Sequence, residues 1–139
     1  MVIDAENQVL GRIASFAAKK ALQGEEITVV NAEKAIIVGN KKSTYKKFRG
    51  RVDMHAKGNP EKGPKMSRMP DRILRRAIRG MLPWKSSRGK KALRLVKVHI
   101  GIPKELQREK LEKPKNSEFK GVQNFVALGE LCKLLGAKW

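Results

Sequence analysis

Residues 2–30 read VIDAENQVLGRIASFAAKKALQGEEITVV, and the spacing of apolar positions changes twice within them. Val2-Ile3 is a short apolar strand, and Asp4-Ala-Glu-Asn7 supplies a polar turn. From Leu10 the spacing becomes helical: Leu10, Ile13, Ala14, Ala17 and Ala21 share one stripe, with Arg12, Lys19 and Gln23 opposite. Alanines keep that stripe thin, so the helix can lie close to a sheet, and Gly24 is placed to end it. Ile27-Thr-Val-Val30 is β-branched throughout and predicts a buried strand. Strand, helix and strand in this order predict a right-handed crossover and a parallel sheet.

Moving outward, Asn31-Ala-Glu-Lys34 reads as a turn and Ala35-Ile-Ile-Val38 as a further strand, closed by Gly39-Asn40. Val96-Lys-Val-His-Ile100 alternates like a strand and is ended by Gly101-Ile-Pro103. Lys104–Lys120 mixes both charges, first helical and then irregular, and Val126–Leu135 predicts a last amphipathic helix through Leu128, Leu131, Cys132 and Leu135. No internal repeat interrupts this order. The expectation is one domain over 1–139: a sheet core from 1–40 and 95–103, a basic binding part over 41–94, and a helical tail over 104–139.

Charge is where the composition departs from an ordinary domain. There are 32 Lys and Arg against 13 Asp and Glu, a formal net charge of +19 and a pI near 10.5. Residues 1–40 carry a net −1, residues 95–139 a net +4, and residues 41–94, with nineteen basic and three acidic side chains, a net +16. Solvation alone needs no such bias of sign, so a polyanion is implied. With 40% apolar residues the chain can still bury a core, unlike a disordered basic tail. No apolar run approaches the roughly 20 residues of a spanning helix, which argues against a membrane. The start Met1-Val-Ile-Asp-Ala-Glu6 is acidic where a signal peptide is basic, and a single cysteine suits a reducing cytosol.

The basic residues fall on several elements. Lys41, Lys42, Lys46, Lys47, Arg49 and Arg51 lie on a short predicted helix anchored by Tyr45 and Phe48. Residues 52–70, broken by Gly58, Pro60, Gly63, Pro64 and Pro70, predict an extended loop carrying Lys57, Lys62, Lys65 and Arg68. Asp71 is placed to cap the next helix, in which Arg72, Arg75, Arg76 and Arg79 fall within about 100° of one another. Ile73, Leu74, Ala77, Ile78, Met81 and Leu82 take the remaining face, and Pro83 stops the helix. Four like charges at that spacing repel one another unless phosphates, which the guanidinium fork matches, lie against them. Trp84 and Lys85 follow, and Arg88, Lys90, Lys91 and Arg94 lie on another short helix around Ala92, Leu93 and Leu95. Trp84 is equally a base-stacking residue and a packing plug.

Reactive chemistry is thin. His55, His99 and Cys132 lie on unrelated segments and are too few for a metal site. Cys132 on an apolar helix face and His99 in a strand read as structural residues. No Ser/His/Asp or Cys/His grouping has a credible spacing. Residues 58–65, Gly-Asn-Pro-Glu-Lys-Gly-Pro-Lys, imitate a phosphate loop, but Pro60 and Pro64 remove backbone N–H groups that such a loop needs. No cofactor and no small-molecule substrate are expected.

Among nucleic acids, a duplex-DNA reader concentrates its contacts on one groove-bound helix, whereas here the cations spread over helices and a loop. Aromatic residues are 5% of the chain, which disfavours a single-strand stacking platform. Folded RNA, held by shape and phosphate position, fits best. The alternatives are a DNA-binding regulator using the Arg72–Arg79 helix and an α/β enzyme acting on a phosphorylated metabolite. The enzyme reading lacks candidate acids, bases and nucleophiles.

Specific blocks then occur in order: Val2-Ile-Asp-Ala-Glu-Asn-Gln-Val-Leu-Gly-Arg12, Val30-Asn-Ala-Glu-Lys34, Arg79-Gly-Met-Leu-Pro83 with Arg88-Gly89, and Val96-Lys-Val-His-Ile-Gly101. Over about residues 2–103 they resemble the family of large-subunit ribosomal protein thirteen in the universal numbering. His99 departs from the aromatic residue expected in the closing strand. The resemblance implies a three-layer α/β/α domain with a small, mostly parallel four-stranded sheet and basic loop and helix extensions. It implies a cytoplasmic, non-enzymatic constituent of the large ribosomal subunit that binds rRNA, beside neighbouring ribosomal proteins, and supports subunit assembly and translation. The Lys/Arg-rich 57–79 segment and the short C-terminal part look archaeal. Some relatives also bind messenger RNA to repress translation.

Overall fold

Val2–Asp4 form β1, and Leu10–Leu22 form the helix α1 that the alanine stripe predicts. The chain returns through Ile27–Val30 as β2, parallel to β1, with Ile3 beside Val29. The computed structural model describes residues 1–106, 109–121 and 123–139. Gly24, at φ +92°, turns the chain between α1 and β2, a conformation in which any Cβ is strained.

Val96–Val98 form β4 on the outer side of β2, and Leu111–Glu112 form β5 on the far side of β1. The order is therefore β4-β2-β1-β5, and every pairing in this four-stranded sheet is parallel. The class is α/β, as expected. β4 is shorter than the predicted 96–100, yet its ladder runs on: the His99 N–H donates to the Val29 carbonyl at 2.8 Å. His99 is half-buried and serves the sheet through its backbone.

Two expectations about the strands change. Ile36–Val38 form β3, but β3 leaves the parallel sheet and pairs antiparallel with β6, Phe125–Ala127. The departure begins at Asn31, whose left-handed backbone (φ 56°) and the 3₁₀ turn Ala32–Lys34 redirect the chain. The fourth strand of the main sheet comes instead from β5, within the stretch predicted to be irregular. Residues 104–139 are thus not a wholly helical tail: they give a 3₁₀ turn at Lys104–Leu106, then β5, β6 and the helix α5, Leu128–Leu134. The last helix starts at Leu128 because β6 takes up the preceding residues.

Between β3 and β4 lie α2 (Lys41–Val52), α3 (Pro70–Met81) and α4 (Ser87–Arg94). Ile3, Ile27, Val29 and Val96 are sealed on one sheet face and join Ile13, Ala14 and Ala17 of α1, Leu74 and Ile78 of α3, and Ala92 of α4 in one core. Leu128, Leu131, Cys132 and Leu135 add the last helical segment to the same core. Burial pushes the Cys132 thiol up to about 12, with the nearby Asp71 charge adding, so the thiol packs rather than reacts. Asp4, at the end of β1, is the charged group the core must accommodate. Its Oδ1 accepts from Asn31 Nδ2 at 2.9 Å and from the Glu6 N–H at 3.0 Å, and Lys113 Nζ lies 3.6 Å from Oδ2. Those bonds offset the penalty of burying the carboxylate.

Among the described residues no helix is long and apolar enough to cross a membrane, and no group of three or more His, Cys, Asp or Glu side chains could hold a metal ion.

Candidate nucleic-acid interface

α2 is fixed at its start by Asn40, whose side chain accepts from the Lys42 N–H at 2.9 Å. Tyr45, Phe48 and Val52 recur at helical spacing and pack against the core, which turns Lys41, Lys42, Lys46, Lys47, Arg49 and Arg51 into solvent. Arg51 lies over the Phe48 ring, 5.7 Å from its centroid. Arg49 is tied to Asp53 at 2.8 Å, and Lys41 is ion-paired with Glu130. Among the described residues these two are the only cations of the nineteen in ion pairs.

The 53–69 connection is exposed over most of its length and holds one 3₁₀ turn, Pro60–Lys62, whose cap is Asn59. Gly63 is required where it stands: a Cβ there would meet the Ala56 backbone nitrogen at 2.7 Å. Lys57, Lys62, Lys65 and Arg68 are all exposed.

α3 divides as its periodicity predicts. Ile73, Leu74 and Ile78 are buried, Arg72, Arg75 and Arg76 are exposed, and Arg79 is half-exposed. Two details differ. The helix begins two residues early, at Pro70, because a proline suits the first helical position, where no N–H is needed. Asp71 therefore sits inside the first turn instead of capping it, and its Oδ1 is buried without a hydrogen-bond partner among the described residues. Met81, in the last turn, is exposed although its phase is that of the apolar face, while Leu82 is buried.

The turn into α4 is built from the Pro83–Gly89 stretch. Ser86 caps α4 by accepting from the Gly89 N–H at 3.2 Å, and its hydroxyl donates to the Pro83 carbonyl at 2.8 Å. Gly89 lies so close to Pro83 that a Cβ would sit 2.0 Å from that carbonyl oxygen. This fixes Lys85, Arg88, Lys90, Lys91 and Arg94 as exposed side chains beside the end of α3. Trp84 is 43% exposed, so it is no packing plug, and the Arg79 guanidinium stands 5.0 Å from its ring centroid.

These elements gather part of the predicted set. Arg72, Arg75, Arg76 and Arg79 share a hollow of about 310 Å³ with Lys65 and Ser67 of the loop and Leu93 of α4. Lys65 and Arg76 also line a second hollow of about 230 Å³ with Arg51, Met54, Pro64 and Met66, which joins the end of α2 to the same surface. Arg88 and Lys91 face a separate hollow of about 310 Å³ beside the end of α1, and Lys41 and Lys42 share another with Gly121, Gln123, Asn124 and Phe125. Lys46, Lys47, Arg49, Lys57, Lys62, Arg68, Lys85, Lys90 and Arg94 are exposed outside these hollows. Sequence reading missed a groove outside 41–94, between α1 and the 114–120 segment, lined by Arg12, Lys19, Lys115 and Lys120. Its one legible signal was Arg12, Phe16 and Lys19 at helical spacing opposite the alanines.

A surface of this kind, on a domain of this topology, can be set against known proteins. The sequence model of ribosomal protein L13 matches residues 1–105. The chain belongs to the ribosomal protein L13 family. It is 46% identical over 139 residues to the protein named large ribosomal subunit protein uL13 from Methanosphaera stadtmanae, covering 99% of this chain and 98% of that one. The protein of the same name from Methanocaldococcus jannaschii is 45% identical over 99% of this chain and 98% of its own length. That from Archaeoglobus fulgidus is 45% identical over 97% of this chain and 86% of its own. The family is one of ribosomal proteins and not of enzymes, and these L13 relatives are archaeal, as the 57–79 segment had suggested.

Proposed function

We propose that this L13-family chain is a structural constituent of the large ribosomal subunit that holds large-subunit rRNA by its phosphates and so supports subunit assembly and translation. The arginine face of α3 carries the reading. Its four guanidiniums share one hollow with Lys65, and none is in an ion pair among the described residues. Repulsion among them is relieved when phosphate oxygens accept from their paired N–H groups. Phosphate contacts set position and register without reading sequence, which suits a protein that holds a folded RNA by its shape. The remaining cations of 41–94 extend that contact, and Trp84, held by Arg79, offers an exposed ring to an unpaired base.

The relatives' names as large ribosomal subunit proteins support rRNA and neighbouring ribosomal proteins as partners, and the cytoplasmic ribosome as location. The experiment is sedimentation of tagged protein in a lysate. It is expected to travel with the large subunit and to stay there through a moderate salt wash. Recovery only in the free soluble fractions contradicts the proposal.

A further inference from the structure

The basic field of 41–94 does not exhaust the surfaces suited to RNA. On α1, the exposed Arg12, Ser15 and Lys19 and the half-buried Phe16, which also packs against the core, form one wall of a groove of about 790 Å³. The opposite wall is the stretch from Pro114 to Lys120. That wall is fixed. Val9 N–H donates to the Ser117 carbonyl at 2.8 Å, Phe119 N–H to the Asn7 carbonyl at 3.0 Å, and Arg12 Nη1 to the Asn116 carbonyl at 2.7 Å. Ser117 is buried, with its hydroxyl donating to the Pro114 carbonyl at 2.6 Å and touching the buried Gln8 side chain. The groove is therefore pre-formed.

Its lining combines two chemistries. Arg12, Lys19, Lys115 and Lys120 face it against a single acid, Glu118. Phe16 and Phe119 add aromatic surface, and the Phe119 ring meets that of Phe125, which is 52% exposed, at 4.7 Å between centroids with the planes tilted by 54°. Three of the chain's four phenylalanines thus meet at one place. Gln123 also lines the next hollow, where Phe125 meets Lys41 and Lys42, so the groove runs on to the start of the basic field.

We infer that this groove is a second RNA site, which takes a single-stranded stretch: unpaired bases against Phe119 and Phe125, phosphates along Lys19, Lys115 and Lys120. The inference rests on the RNA-binding reading above. A duplex keeps its bases stacked on each other and has no use for exposed rings, whereas an unpaired strand gains from both aromatic faces and cations. An acidic protein segment would match the charge, but it would leave the two adjoining phenylalanines without planar partners.

The test uses the full chain and two RNA probes, a decamer of oligouridylate containing 4-thiouridine and a fully paired RNA hairpin. Photo-cross-links from the decamer are expected in the peptides around Lys19 and Phe119–Phe125. Phe125→Ala, and separately Lys19→Glu with Lys120→Glu, are expected to weaken decamer binding about tenfold while hairpin binding holds within about twofold. All these side chains are exposed except the Phe119 ring, which is left intact, so the variants keep the fold. Decamer cross-links confined to 41–94, or decamer affinity unchanged in both variants, overturn the groove and leave the phosphate field standing. A polyglutamate peptide that displaces the decamer from the groove cross-links but not from 41–94 overturns it in favour of a protein partner. Failure of the wild-type chain to bind either RNA overturns the RNA reading itself.

Discussion

Gly89 and Gly50 are both helical glycines in basic helices, and the space around them gives them opposite roles. Glycine inside a helix is ordinarily about 0.5–1 kcal/mol worse than alanine. Gly50, on α2, has nothing within 4 Å of a Cβ, so Gly50→Ala is expected to stabilise the protein by about that amount. Gly89→Ala would push a methyl to 2.3 Å from the Pro83 carbonyl carbon and 2.8 Å from the Trp84 nitrogen, and backbone atoms in a capped turn cannot give way cheaply. A loss of about 1–3 kcal/mol is expected instead. Thermal unfolding of the two variants measures both signs, and a gain from Gly89→Ala would show that the α3–α4 turn is not built as described. The pair Arg88-Gly89 was legible in the sequence as a motif. Its reason was not, because the carbonyl it touches belongs to a turn whose shape no local spacing reveals.

Helix faces were the most legible elements, since a 3.6-residue period is written locally. The alternation of arginine with Ile73, Leu74 and Ile78 gave α3 both its buried and its exposed side, and the alanines of α1 gave a thin helix. That thinness has a consequence. Ala17 is fully buried where α1 meets the rest of the core, so Ala17→Leu is expected to overpack it and cost about 1–3 kcal/mol. Chemical denaturation measures the loss, and unchanged stability would remove α1 from the core. Strands were less legible. β5 is two residues, Leu111-Glu112, too short for a period, and its partner β1 lies at the other end of the chain. Ile36-Ile-Val38 reads the same in a parallel sheet or against β6, and only the left-handed Asn31 and the later Phe125–Ala127 decide between them. Met81 has the phase of the core face of α3 yet is exposed, because phase alone does not show which turns of a helix a neighbour covers.

At the scale of the molecule, the sign and place of the charge were plain from counting, but the meeting of separate cations was not. Lys65 and Arg76 are eleven positions apart in a chain broken by prolines, yet they line the same hollow as Arg51. Arg12 and Lys120 share a groove across most of the sequence. The mechanism proposed for the 41–94 surface, release of counterions when cations settle on phosphates, has a direct signature in salt. Binding of the full chain to large-subunit rRNA, measured across salt concentrations, tests it. For six to ten phosphate contacts, affinity is expected to fall about 10³- to 10⁵-fold between roughly 50 and 200 mM salt. Arg75→Glu with Arg76→Glu, both exposed, should weaken binding and lower the slope of log affinity against log salt by about two, with the thermal unfolding transition retained. A flat salt response of the wild-type chain, or an undiminished slope in the double variant, would contradict the phosphate mechanism.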